Sequence, residues 1–123
     1  MDINATLEKA PSKIAELAED AEESRFIWKT AEIQQKQLEA KKHLELKALQ
    51  PDLTISDLKA NVEAEDGIYE KRMEVLTLES AYKKALIEVD KWSNAFNSAR
   101  KIANLKIEEM RSLHSTIKAK EEI

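Results

Sequence analysis

The chain has 123 residues and a formal net charge of −4, and it contains one glycine, two prolines and no cysteine. The lack of cysteine excludes disulfides, thiolate catalysis and a thiolate zinc site. No apolar run reaches the roughly 20 residues that cross a bilayer, and the first residues lack the basic-then-apolar order of a signal peptide. We therefore expect a cytoplasmic protein that makes no membrane contact.

A first helix is predicted from about residue 12 to about residue 49. Pro11 followed by Ser12 is a typical helix start, and Pro51 cannot continue a helix and disfavours helical geometry at Gln50. Between these signals, apolar residues recur at steps of three, four and seven and so share one helical face. They are Ile14, Leu17, Ala21, Trp28, Ala31 and Leu38.

A second helix is predicted to begin at Thr54, whose hydroxyl can cap it. Asp57 follows three residues later, and Leu53 can pack on Leu58 across the cap. From here the pattern favours one helix of roughly 60 residues, about 90 Å long at the helical rise. Gly67 is expected either to end a short helix or to weaken a continuous one.

The second helix carries an apolar heptad pattern that the first helix is too short to cover. This predicts an all-α fold of long amphipathic helices, a helical hairpin that assembles into an oligomeric bundle or coiled coil. Trp92 and Phe96 are expected to be central anchors. Residues 1–53 would form an N-terminal DNA-binding region, and residues 54–123 would form the oligomerisation region. The predicted oligomerisation residues are Val75, Leu78, Tyr82, Val89, Trp92, Phe96, Ile107 and Met110.

No pattern of catalytic or ligand-binding residues emerges from the sequence. His43 and His114 are isolated, no glycine-rich phosphate loop occurs, and no nucleophile has a recognisable base near it. We therefore expect no enzymatic activity, no catalytic residues, no metal site and no cofactor.

The first helix also carries a stripe of basic residues. Residues 25–50 have a net charge of +3. At about 100° per residue, five of their side chains fall within about 40° of one direction, nearly opposite Ile27, Ala31 and Leu38. These five, the basic stripe, are Arg25, Lys29, Lys36, His43 and Lys47, with Lys41 and Lys42 on the flanks.

The basic stripe predicts contacts to the phosphates of nucleic acid, although the net charge of the whole chain argues weakly against them. Phe26 and Trp28 could stack on bases but point in different directions. The alternative is a solvated helix face, because Glu32 precedes Lys36 by four residues and Glu39 precedes His43 by four.

Two segments resemble the UvsY family of phage recombination mediators. The stretch from Leu38 to Ala48 is similar to a family segment associated with single-stranded DNA binding, and Lys47 matches the lysine of that segment. Leu49 stands where the family has arginine. Residues 54–111 can be aligned without gaps to the C-terminal half of the family. The matching residues there are Tyr82, Leu86, Arg100, Ala103, Ile107, Met110 and Arg111.

The resemblance implies a non-enzymatic helical homo-oligomer in DNA recombination and repair. It would bind single-stranded DNA, help to load a RecA-like recombinase and help to displace a single-stranded-DNA-binding protein. A phage-encoded protein of this kind would act in the host cytoplasm. Two alternatives stay open at this point: a structural or protein-interaction coiled coil, such as an assembly or scaffolding factor, and an inhibitor that mimics nucleic acid through its acidic blocks, residues 1–24 and 57–79.

Overall fold

The computed structural model describes residues 2–121, and this part of the chain forms three helices and no strand. Helix α1 spans Ile3–Leu49, α2 spans Ile55–Glu63 and α3 spans Asp66–Glu121. The predicted all-α class is confirmed. Helix α2 connects the two long helices.

Helix α1 begins nine residues before the predicted start, so the prediction that Pro11 opens it is wrong. Asp2 caps the helix: its Oδ1 accepts a hydrogen bond from the Ala5 amide at 3.2 Å, and its carbonyl accepts one from Thr6 at 3.0 Å. Pro11 therefore lies inside α1. Proline removes one backbone donor from a helix interior, but the adjacent Ala10 is fully buried, and its packing helps to offset that loss.

The end of α1 and the start of α2 follow the predicted signals. Helix α1 ends at Leu49, and Leu53 donates a backbone hydrogen bond to the Gln50 carbonyl at 3.2 Å across the turn that contains Pro51. Thr54 has the extended backbone of an N-cap, with φ −67° and ψ 158°, and its hydroxyl accepts from the Asp57 amide at 3.2 Å. The predicted threonine cap is confirmed.

Of the two outcomes left open near Gly67, the structure has the short helix: α2 ends at Glu63, and the long helix begins at Asp66 rather than at Thr54. Gly67 lies in the first turn of α3, after the break, and no residue in the described chain has positive φ. Leu58 and Val62 before the break and Ile68 after it are all buried.

The chain divides into two compact units, and each long helix contributes to both. This structural division differs from the functional division predicted at residue 53. The central unit is Glu19–Leu86, and its buried apolar side chains come from all three helices. They are Ala21, Ala31, Leu58, Val62, Ile68 and Val75.

Within the central unit α1 and α3 run antiparallel. Trp28 stacks on Tyr82 with ring centroids 5.6 Å apart. Further along α1, Gln34 accepts a hydrogen bond from Lys71 at 2.9 Å. A later residue of α1 therefore contacts an earlier residue of α3, as in a helical hairpin.

The second unit, which we call the terminal unit, combines the chain up to Ala18 with the chain from Ile87 onward. Ala10 and Ala99 are fully buried in it, and Trp92 lies beside Ser12 and Glu16 of α1. Burial stops near Ala103, and every described residue from 104 to 121 is exposed.

The residues predicted to mediate oligomerisation fall into two groups. Six are buried or half-buried within the chain itself: Val75, Leu78, Tyr82, Val89, Trp92 and Phe96. In contrast, Ile107 is 48% exposed and Met110 is 70% exposed. Their role in assembly stays a prediction, and only the exposed pair is available to a partner without rearrangement of the fold.

Candidate nucleic-acid interface

The basic stripe lies on a side of α1 that the core of the central unit does not cover. Arg25, Lys36 and Lys47 are exposed, whereas Lys29 and His43 are half-buried. The buried side chains of the same helix segment, Ala21 and Ala31, point in another direction. Because α1 is helical over this whole segment, the five cations share one face, as the helical period predicts.

One carboxylate partly neutralises the middle of the basic stripe. Glu32 lies 3.7 Å from the Lys29 amine and 3.6 Å from the Lys36 amine. Exposed helical pairs of this kind contribute only about 0.3–0.5 kcal/mol and are screened by salt. A phosphate oxygen can therefore compete with Glu32 for either lysine at low energetic cost.

Glu39 does not pair with His43, although the spacing of four residues allowed it. Its Oε1 accepts a hydrogen bond from Arg72 Nε at 2.7 Å, and Glu63 lies 3.3 Å from Arg72 Nη2. The hydrogen bond to Glu39 is the main reason that the pKa of Arg72 is raised above its ordinary value. Within residues 2–121 His43 has no acidic partner in an ion pair.

Lys41 and Lys42 lie apart from the basic stripe. Lys42 Nζ is 2.9 Å from Glu65 Oε1 and 3.7 Å from Glu45, and the hydrogen bond to Glu65 raises the pKa of Lys42. This ion pair connects α1 to the short segment between α2 and α3. Lys41 is exposed but points about 140° away from Lys36 at 100° per residue. Neither lysine extends the stripe.

A groove of about 530 Å³ lies where the basic stripe meets α2. Lys36, His43 and Leu44 line it from α1, Lys59 and Val62 line it from α2, and the ion pairs of Arg72 lie beside them. Lys59 is exposed and adds a cation next to the stripe. The periodicity of α1 contains no signal for Lys59, because only the fold of the turn between α1 and α2 brings it there.

The two aromatic residues proposed for base stacking have different environments. Trp28 is half-buried, packs on Tyr82 and has the Lys29 amine 4.1 Å above its ring. Phe26 is 72% exposed. A base could therefore stack on Phe26 without any change in the fold, whereas the face of Trp28 is occupied.

Comparison of the chain with protein-family models, with curated proteins and with solved structures finds no match. In the part of the chain that the structure describes, no three histidine or acidic side chains are grouped as metal ligands would be. None of the three helices, over the same residues, has a stretch suited to spanning a bilayer.

Proposed function

We propose that this chain is a non-catalytic oligomer that binds single-stranded DNA through α1 and acts as a recombination mediator. The observation that carries the proposal is the basic stripe on the uncovered side of α1, which Lys59 of α2 extends. From Arg25 to Lys47 the stripe runs about 33 Å at 1.5 Å per residue, long enough to contact several phosphates.

Electrostatics allows such binding despite the overall charge of −4. Exposed charges more than about 8–10 Å apart are largely screened at physiological salt, so a phosphate responds mainly to the cations near it. Phosphate contacts release counterions from the DNA, and the affinity then falls steeply as salt is added. The ion pairs of Glu32 weaken the stripe but do not reverse its sign.

Assembly would make this modest surface effective. The C-terminal part of α3 carries an apolar stripe that the described chain does not cover, and we call it the α3 stripe. Its members are Ile107, Met110, Leu113 and Ile117, which are 48%, 70%, 62% and 48% exposed. If several copies join through the α3 stripe, their DNA-binding surfaces act together, and weak contacts are strengthened by effective concentration.

The recombinase and single-stranded-DNA-binding protein partners enter the proposal through the resemblance to the UvsY family. The best match is over residues 107–111, whereas Lys47 matches a family lysine but Leu49 stands where the family has arginine. The proposed role is to hold single-stranded DNA while a RecA-like recombinase is loaded and the single-stranded-DNA-binding protein is displaced. Both partners are proteins, so their contacts need not use the basic stripe.

Titration of labelled oligo(dT) by fluorescence anisotropy tests the DNA-binding proposal. We expect binding at about 50 mM salt that weakens strongly by about 300 mM. Lys36→Glu combined with Lys47→Glu is expected to abolish binding and leave helix content unchanged. The matched control, Lys84→Glu with Lys91→Glu, makes the same charge change on exposed positions of α3. No binding at low salt, or equal effects of the two double variants, would contradict the proposal.

A second candidate is a helical protein-interaction factor that does not bind DNA. The observation that favours it is the pairing of Lys29, Lys36 and Lys42 with Glu32 and Glu65, which is typical of a solvated helix surface. Under this alternative, the Lys36→Glu, Lys47→Glu variant assembles normally, and the unaltered protein has no salt-dependent affinity for oligo(dT).

A further inference from the structure

A line of exposed apolar side chains runs along α1 next to the basic stripe. Phe26, Ile33 and Leu44 are 72%, 58% and 68% exposed, and Ala40 lies between the last two. At about 100° per residue these four positions fall within about 40° of one direction. We call them the outer apolar line. All belong to the central unit, and within it they point away from the buried face of α1.

The outer apolar line and the basic stripe are neighbours on the helix surface. Their mean directions differ by about 65° around the axis, so the two lines run side by side. Lys36 and Leu44 also line the same groove, beside Lys59. Because α1 already has a separate buried face, these exposed apolar side chains are available to a partner.

A single strand of nucleic acid has the matching chemistry, because its phosphates form a charged edge and its bases offer apolar faces on the other side. We propose that α1 binds the strand along its length, with phosphates on the basic stripe and bases on the outer apolar line, and that Phe26 stacks on a base. This inference rests on the proposed function. It adds the requirement that the bases themselves contribute to affinity.

The position of Phe26 favours the stacking role. Phe26 follows Arg25 directly and lies within one helical turn of Lys29. A base on its ring would therefore belong to a nucleotide whose phosphate is within reach of either cation. Its ring makes no aromatic or cation contact within the described residues, in contrast to Trp28 and Phe96. Stacking of this kind accepts any base, because every base has a π-face.

The test compares oligo(dT) with an abasic strand of equal length, and it compares Phe26→Ala with the unaltered chain. Phe26→Ala is expected to weaken binding of oligo(dT) at least about fivefold, since stacking on one aromatic ring contributes that much or more. The same substitution is expected to leave binding of the abasic strand and the salt dependence unchanged, because both depend on phosphate contacts. Tyr69→Ala is the matched control, an aromatic residue of α3 that is 61% exposed.

Each outcome has a defined meaning. An equal loss on both strands, or no loss on oligo(dT), would overturn the stacking role and leave the proposed function intact. A change in the mass of Phe26→Ala in light scattering would mean that the outer apolar line joins copies of the chain. That result would also overturn the stacking role. If the unaltered protein binds neither strand at about 50 mM salt, the proposed function fails and this inference fails with it.

Discussion

Trp28 is the residue where packing and polarity conflict most clearly. Its ring stacks on Tyr82 at an interplanar angle of 23°, yet its buried indole N–H has no hydrogen-bond acceptor among the described residues. An unpaired buried donor costs about 1–3 kcal/mol. The residue therefore stabilises the central unit through its ring and destabilises it through its nitrogen.

Two substitutions separate these effects. Trp28→Ala removes the ring and is expected to lower the free energy of unfolding by about 3 kcal/mol. Trp28→Phe keeps an aromatic face for Tyr82 and removes the unpaired donor, so its expected loss is below about 1 kcal/mol. Urea unfolding followed by circular dichroism measures both. Equal losses would mean that the indole N–H is hydrogen-bonded in solution.

At the scale of the elements, α2 connects α1 to α3. Local chemistry determines where α2 starts but not where it ends. Thr54 caps α2 through a hydrogen bond of 3.2 Å, a local interaction between residues three apart. The end of α2 has no comparable signal. Gly67 follows the break, lies in helical geometry, and has open space where a Cβ would be.

Gly67→Ala is therefore expected to stabilise the protein by about 0.5 kcal/mol, because alanine loses less backbone entropy in a helix and meets no neighbour here. The rise in the urea midpoint, at unchanged slope, measures it. If Gly67 were a required hinge with positive φ, the same substitution would destabilise the chain instead.

The elements also show which features can be predicted from sequence. Proline at position 51 and the cap at Thr54 act on their own neighbours, so their effects are visible in the pattern. The break before Asp66 lies between the buried residues Leu58 and Ile68, and Pro11 lies inside α1 next to the buried Ala10. Both outcomes require knowledge of what each helix packs against.

The residues of the candidate site also divide into those that the sequence pattern predicts and those that it does not. Helical spacing predicted that Arg25, Lys36 and Lys47 share a face, because the 3.6-residue period is enough to place them. It did not predict that Lys42 pairs with Glu65 or that Lys59 joins the groove. Those contacts cross the turn at Pro51, whose geometry the periodicity does not contain.

At the scale of the whole molecule, the distribution of burial separates the residues of the folded core from those proposed to mediate assembly. Six apolar residues of α3 are buried or half-buried within the chain, whereas the α3 stripe is exposed along its length; the six are Val75, Leu78, Tyr82, Val89, Trp92 and Phe96. Residues of the α3 stripe can therefore be substituted without touching the folded core.

Met110→Asp is expected to shift the protein to a smaller mass in size exclusion with light scattering, because a charge would be buried at the contact between copies. Helix content and the urea midpoint of the core are expected to change little, since Met110 is 70% exposed. Ser112→Asp is the matched control, on the opposite side of the same turns. Unchanged mass in Met110→Asp would exclude the α3 stripe as the assembly surface.

The turn near Pro51 also has a kinetic consequence. Contacts of the central unit close short loops: Glu39 and Arg72 are separated by 33 residues and Gln34 and Lys71 by 37. Contacts of the terminal unit, such as those around Ser12 and Trp92, join segments much further apart along the chain. Loop-closure entropy rises with loop length, and contacts of low sequence separation form faster. We therefore expect the helices to pair first next to the turn and the terminal unit to form last and to open first, which would release the N-terminal part of α1 while the central unit stays folded.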